Sequence, residues 1–358
     1  MRILHVITSL WTGGAEHLMV DLLPELRRMG NEVELLVFDG TDTPFKRQLE
    51  AEGVKITSLS VGGSVYNPLN VLKLVRHMRC FDIVHTHNTA CQLFAAMAGV
   101  LCSAVLCTTE HNTSNRRRDW RWYAPVDRWM YRQYDAIVCI SRQAEANLRS
   151  SLGRGNWPIR TIYNGIKVER YASAKPDERL VAEKGCRKAV AMVAAFRYQK
   201  DQDTLVRAMR LLPADKYELW LVGDGERRGE IEKLANEEGV DARVKFLGIR
   251  TDVPEVLKAA DVVVLSSHFE GLPLSGIEGM ASGRPFVASD VDGLHEIVAG
   301  SGVLFPHGDA EALAGEIERL CDNAAESEAV AQRCQDKARK FDISVMAQKY
   351  DEVYRSLQ

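Results

Sequence analysis

An alternation of short apolar runs with helical stretches, carried through one half of the chain and restarted in the other, constrains this sequence most. Ile3–Ser9 is apolar and ends at Gly13-Gly14, and a helical pattern of Leu18, Leu22, Leu23 and Leu26 follows before Gly30 stops it. Strands are then expected at Val33–Phe38, Val54–Leu59, Ile83–Thr86, Val105–Thr109 and Ile137–Ile140, with helices at Leu69–Met78 and Ala90–Ala98. The second series sets strands at Val190–Ala195, Glu218–Val222, Val244–Leu247, Val262–Ser266, Pro285–Ala288 and Gly302–Phe305. Its helices fall at Thr204–Leu212 and Gly229–Glu238. Strands separated by helices build parallel βαβ units with helices on both faces of the sheet. Two such series in 358 residues predict two doubly wound α/β domains, with a break near Asn164–Ser173 after a strand at Thr161–Tyr163. The expected organisation is a domain over 1–165, a second over 166–340, and a terminal helix over 341–358 that crosses back to the first. In open α/β sheets ligands bind beyond the carboxyl ends of the strands, so the substrate is expected in a cleft between the domains.

Composition removes several classes. The chain is 46% hydrophobic and 27% charged, which is globular and not disordered. The longest nearly apolar run, Leu93 to Cys107, is broken by Gly99 and Ser103 and is too short to span a bilayer. Glu16 follows the first apolar run closely, so the start does not read as a signal peptide. Eight cysteines without a C-x-x-C pair read as reduced core thiols of a cytoplasmic protein. A formal charge of −3 gives no reason to expect nucleic acid. That charge is uneven: residues 1–165 carry 19 Lys+Arg against 15 Asp+Glu, and residues 166–358 carry 27 against 34.

The stretch from Ser266 to Glu278 carries the chemistry. It follows an apolar strand, passes a glycine-containing loop at Gly271, and opens a helix at Pro273, Leu274 and Ser275. Backbone N–H groups and the dipole at such a helix start favour a phosphate. Glu278, in the first turn, suits two ribose hydroxyls, and Glu270 a different hydroxylated part of the same ligand.

Here the chain resembles the retaining glycosyltransferases of family 4, glycosyl transferases group 1, which have the GT-B fold. Glu270 and Glu278 match the family's paired glutamates with seven residues between them. Gly279–Ser289 and Asp292–Glu296 are similar to the segments that follow. The likeness also runs in order through Gly13–Glu16, Asp82–His87, Asn164–Ile166, Val222–Gly225 and Phe246–Gly248. The resemblance implies two Rossmann-like domains facing each other across a cleft, and a sugar moved from a nucleotide diphosphate, with uridine the first expectation, to an acceptor hydroxyl with retention. It implies that Gly13 and Gly14 admit the diphosphate to the backbone. Lys200 matches a diphosphate lysine. The family's usual arginine falls at Ala195, and Arg197, of the same parity, is taken as its replacement. His111 matches a histidine beside the donor sugar, Glu270 the residue on the sugar hydroxyls, and Glu278 the one on the ribose. Arg250 is a candidate for the base. No carboxylate nucleophile for double displacement stands out, so the resemblance implies front-face substitution, with Arg197 and Lys200 stabilising the leaving diphosphate. No cofactor and no metal are expected. Asp201-Gln202-Asp203 and Asp290-Val291-Asp292 read as loop carboxylates, and His85-Thr86-His87 as structural. Gly223-Asp224-Gly225 with Gly229 has the wrong spacing for a dinucleotide loop.

Outside that constellation, Asn115–Arg132 interleaves Arg116, Arg117, Arg118, Arg121, Arg128 and Arg132 with Trp120, Trp122, Tyr123, Trp129 and Tyr131. Arginine with tryptophan suits an anionic membrane surface or a polyprenyl-diphosphate-linked acceptor, and equally a solvated face over aromatic core residues. The resulting expectation is a cytoplasmic enzyme, peripheral at the inner membrane face, that builds a cell-surface polysaccharide on a lipid-linked glycan. A small soluble acceptor and an inactive nucleotide-sugar scaffold remain as alternatives.

Overall fold

In the computed structural model, which describes residues 1–11, 13–102, 104–111 and 123–358, the chain divides into two compact units. The first holds Met1–Gly165 and Ile343–Gln358, the second Ile166–Asp342. In the first unit the strands are β1 (Arg2–Ile7), β2 (Glu32–Asp39), β3 (Lys55–Ser60), β4 (Ile83–His87), β5 (Val105–Glu110), β6 (Ala136–Cys139) and β7 (Ile159–Thr161). They form a parallel sheet in the order β3-β2-β1-β4-β5-β6-β7. In the second, β8 (Lys188–Val193), β9 (Tyr217–Val222), β10 (Val244–Gly248), β11 (Val262–Leu265), β12 (Phe286–Ser289) and β13 (Val303–Phe305) form a parallel sheet in the order β10-β9-β8-β11-β12-β13. Both are doubly wound. The strand order reverses between β1 and β4 in one and between β8 and β11 in the other, and each reversal opens a crevice at the carboxyl ends.

Every residue of strand β4 is buried, although its sequence is Ile-Val-His-Thr-His. The polar residues of this central strand therefore have to find partners inside the sheet. The terminal helix Ile343–Arg355 supplies some of them. Its apolar face (Ile343, Met346, Ala347, Tyr350, Val353, Tyr354) joins the core formed by Leu18, Leu22 and Leu26 of helix Gly14–Arg28 and by β1 and β2. Tyr354 Oη lies 2.5 Å from His85 Nδ1, His85 Nε2 is 2.8 Å from Thr109 Oγ1, and Thr109 Oγ1 is 2.9 Å from Tyr350 Oη. At the outer edge Asn31 Nδ2 donates to Asp351 Oδ1 at 2.9 Å, which fixes the helix in register. Burial of this helix, and not its intrinsic propensity, is what holds it against the first unit.

His5 on β1 and His85 and His87 on β4 lie together behind this helix, and all three are fully buried. Loss of hydration holds each in the neutral form: His5 is pushed down to about 3, and His85 and His87 well below the usual histidine range. His111, just past β5, is lowered to about 4 for the same reason. Their surroundings are the Tyr350 and Tyr354 hydroxyls, Thr109 and one another. In the unfolded chain these groups take protons near pH 6.5, whereas in the fold they stay neutral to far lower pH. The unfolded state therefore binds more protons below 6.5, and stability falls as pH falls. The contribution is complete above about pH 7 and is lost downward at about 1.4 kcal/mol per pH unit for each histidine. Urea unfolding of the first unit should show a steep loss between pH 7 and 5; a flat profile over that interval would contradict the buried neutral layer.

Candidate active site

The second unit's reversal point brings together residues from the ends of β8 and β11. After β8 the chain passes Ala194–Arg197, makes one 3-10 turn at Tyr198–Lys200, and reaches Asp201 with φ 48° and ψ 52°. Asp201 then caps helix Gln202–Leu211 by accepting from Thr204 N, and its other oxygen takes the Thr204 hydroxyl at 2.6 Å. After β11 the chain runs through Ser266–Leu272 into helix Leu274–Ala281. The two loops are joined by backbone, since His268 N donates to Gln199 O at 2.8 Å.

Glu270 is the centre of this crevice. Its carboxylate is buried and loaded on both oxygens: Oε1 receives Lys200 Nζ at 2.5 Å and Ser267 Oγ at 2.6 Å, and Oε2 receives Gln199 Nε2 at 3.2 Å. Lys200 is largely buried as well, so the pair is a shielded ion pair with supporting hydrogen bonds, the arrangement in which a buried carboxylate is tolerated. Glu278 is buried on helix Leu274–Ala281, and Leu274 and Ser275 form that helix's first turn behind Pro273. Arg197 is exposed at the mouth of the β8 loop, its guanidinium bonded to no described residue, and Ala195 is exposed beside it. Lys200, Glu270, Arg197 and the opening of the Glu278 helix are thus set around one crevice edge. Ammonium, guanidinium and helix N–H groups are the donors suited to phosphate oxygens, and two carboxylates are the acceptors suited to hydroxyls.

Arg250 is placed differently. Its guanidinium is taken up by Asp177 Oδ2 at 2.7 Å and by Asp252 Oδ1 at 2.7 Å, and those carboxylates raise its pKa above the usual arginine value. It ties the end of β10 to the cap of helix Glu178–Lys184. Asp203 is likewise committed, to a bidentate pair with Arg227 at 2.7 and 3.0 Å, and Asp290 to His295 Nδ1 at 2.6 Å. Among the described residues two groups bring three metal-ligand atoms close: His5, His85 and His87, and Asp201, His268 and His307. In the first, the nitrogens other than His5 Nε2 bond to one another, to His111, or to Tyr354 and Thr109. In the second, Asp201 caps its helix and His268 Nδ1 lies 2.7 Å from His307 Nε2.

In the first unit Gly13 and Gly14 begin helix Gly14–Arg28. The space about Gly14 is open, while a Cβ on Gly13 would run into the Glu16 carboxylate. Across the reversal point stands Asn88, at φ 69° and ψ 152°, a conformation that strains any residue with a side chain. Its amide donates to Thr8 Oγ1 at 3.1 Å and Glu16 Oε1 at 3.3 Å, tying the ends of β1 and β4 together. His111 sits at the end of β5 with Nε2 3.0 Å from His87 Nδ1. Of the arginine- and tryptophan-rich segment, Arg116, Arg117, Arg118, Trp120, Arg121 and Trp122 lie outside the described residues. Tyr131 is a core residue donating to Glu110 Oε2 at 2.5 Å, Arg128 donates to Leu152 O, and Arg132 lies over the Trp157 ring. Trp129 is exposed.

Two families of models match in sequence: "Glycosyltransferase Family 4" over residues 12–170 and "Glycosyl transferases group 1" over residues 187–323. The chain belongs to this glycosyltransferase family, and its two Rossmann-like sheets are those of the GT-B fold. It is 29% identical over 315 residues to the Bacillus subtilis "Putative glycosyltransferase EpsD", covering 82% of this chain and 81% of that one. It is 26% identical over 276 residues to the Escherichia coli "UDP-Gal:alpha-D-GlcNAc-diphosphoundecaprenol alpha-1,3-galactosyltransferase", covering 71% and 70%. Among solved structures, Anabaena HepE in complex with UDP-glucose superposes with a TM-score of 0.86 at 23% identity, over 99% of this chain and 100% of that one.

Sequence reasoning passed over Gln199, Ser267, Asn88 and the role of Gly293. A Cβ on Gly293 would lie 2.5 Å from Glu270 O and 2.6 Å from Gly271 O, so the loop that carries Glu270 rests on this glycine. The only sign in the sequence was a glycine at a helix start with no turn to make. Gly293→Ala should push the Glu270 loop outward at about 1–3 kcal/mol of stability and weaken donor binding. Unchanged thermal stability and unchanged donor affinity by calorimetry would refute that packing role.

Proposed function

We propose that the protein is a retaining glycosyltransferase that moves a sugar from a UDP-sugar to a lipid-linked glycan in cell-surface polysaccharide assembly, without a metal or other cofactor. The Glu270 carboxylate held by Lys200, Ser267 and Gln199 at the β8/β11 reversal point carries the reading. A diphosphate entering that crevice meets Lys200, Arg197 and the N–H groups before Ser275, while Glu278 receives the ribose hydroxyls. Charge builds on the leaving diphosphate as the glycosidic bond breaks, and Lys200, already fixed by Glu270, stabilises it without reorganising. For His111 the proposed role is a hydrogen bond to the transferred sugar, and for Gly13 and Gly14 close backbone approach by the ligand. Arg250 is left out, because its two aspartates occupy it.

A UDP donor is supported by the HepE complex and by the name of the E. coli relative, which also carries a diphosphoundecaprenol acceptor. A small soluble acceptor is the second reading. It is favoured by Arg128, Arg132 and Tyr131 being engaged within the fold, which leaves the membrane surface to the remaining residues of that segment.

The test is a thermal-shift panel of UDP-, GDP- and ADP-sugars with and without magnesium, followed by transfer to a polyprenyl-diphosphate glycan and NMR of the new anomeric centre. A UDP-sugar should raise the Tm equally with and without magnesium, and the product should keep the donor's configuration. Lys200→Ala should keep most of that shift yet lose about 100-fold in turnover. No shift with any nucleotide sugar, or an inverted product, would overturn the proposal.

A further inference from the structure

Three histidines from three elements form one hydrogen-bonded line in the first unit. His111 Nε2 is 3.0 Å from His87 Nδ1, and His87 Nε2 is 3.0 Å from His5 Nδ1. The far end, His5 Nε2, is buried and has no hydrogen-bond partner among the described residues. His85 packs against both inner rings, with ring centres 4.9 Å from His5 and 4.4 Å from His87. Its own nitrogens are used by Tyr354 and Thr109, so it offers the line no alternative partner.

A neutral imidazole has one N–H and one lone pair, and two nitrogens 3.0 Å apart share a single proton. With all three rings neutral, only two arrangements satisfy both links. In one, His111 donates from Nε2 to His87, His87 donates from Nε2 to His5, and His5 buries an unpaired N–H. In the other the protons run the opposite way: His5 donates from Nδ1 to His87, His87 donates from Nδ1 to His111, and His5 buries a bare lone pair. The tautomers cannot be chosen one at a time, so the environment at His5 is felt at His111 two rings away. Unpaired buried N–H groups are rarer in folded proteins than under-satisfied acceptors, which selects the second arrangement.

We propose that His87 and His5 are positioning residues that lock His111 as the Nδ1–H tautomer, so that it presents a hydrogen-bond donor from its outer nitrogen. This rests on the proposed function only in what the donor meets, a hydroxyl oxygen of the transferred sugar. The lock itself is a property of the unliganded protein. It accounts for histidine at a fully buried position of β4, and for the inward tie of the ring past β5 through its Nε2.

The test is nitrogen-15 NMR of the full-length protein labelled in histidine, read at pH 7.5 without ligand. His111, His87 and His5 should each show a protonated Nδ1 and a bare Nε2. His87→Phe cuts the line, and His111 should move to an average of both tautomers. His5→Phe, the second variant, should release His87 and shift His111 in the same direction. Transfer by His87→Phe should fall about tenfold, the worth of one hydrogen bond. A wild-type His111 protonated at Nε2, or a mixture, overturns the proposal even if neither variant folds, as does a His111 signal unmoved by His87→Phe. If the tautomers are as stated while His111→Ala transfers sugar at the wild-type rate, the lock stands and the role of His111 in the reaction falls.

Discussion

A carboxylate taken out of water needs several donors at once, and the Glu270 crevice is built around that requirement. Lys200 and Gln199 come from the loop after β8, Ser267 from the loop after β11. The loops can meet because β8 and β11 are neighbouring parallel strands, so both loops leave the sheet at the same edge. The backbone around them is packed tightly. A Cβ on Gly225 would lie 2.6 Å from Phe196 O, and Gly293 gives the same close support beneath Glu270. Phe196 N also donates to Asp224 O at 3.0 Å. The β8 loop is therefore fixed from the side away from the crevice, leaving its charged face open.

The first unit solves the opposite problem. Its central strand buries histidines in place of charges, and the fold keeps them neutral by shutting out water, with hydroxyls and one another as hydrogen-bond partners. The terminal helix is part of that solution, because Tyr350 and Tyr354 complete the network from a segment almost two hundred residues beyond the rest of the unit's chain. Neither tyrosine nor histidine could be exchanged for an apolar residue singly without leaving a buried polar partner unmatched.

The sheets were legible because parallel strands are short apolar runs with little competition from other patterns. Val33–Phe38, Ile83–Thr86 and Glu218–Val222 fall within or within a residue of β2, β4 and β9. Helix Leu69–Met78 has the bounds its periodicity implies. The strand placed at Thr161–Tyr163 is instead Ile159–Thr161, because the pairing with β6 starts earlier, with Ile137 N bonded to Pro158 O. Of the site, the two glutamates could be picked out by their place around a helix start, and Lys200 only through the family resemblance. That Lys200 touches Glu270 is a contact across seventy residues, and spacing along the chain carries no information about it. Arg250 misled because a charged residue after a strand looks free until Asp177, distant in sequence, is seen to pair with it. The histidine line was hidden for the same reason: His5 lies on β1, and only the β1–β4 pairing sets it beside His85 and within reach of His87.

The central claim is that the crevice between the loops after β8 and β11 receives the nucleotide sugar. Hydrogen–deuterium exchange with and without saturating UDP tests it directly, because it reports where the ligand protects the backbone. The account predicts slowed exchange in 194–200 and 266–276, the two loops and the first turn of helix Leu274–Ala281. Binding of UDP with protection confined to other segments, and none in these two, would contradict it.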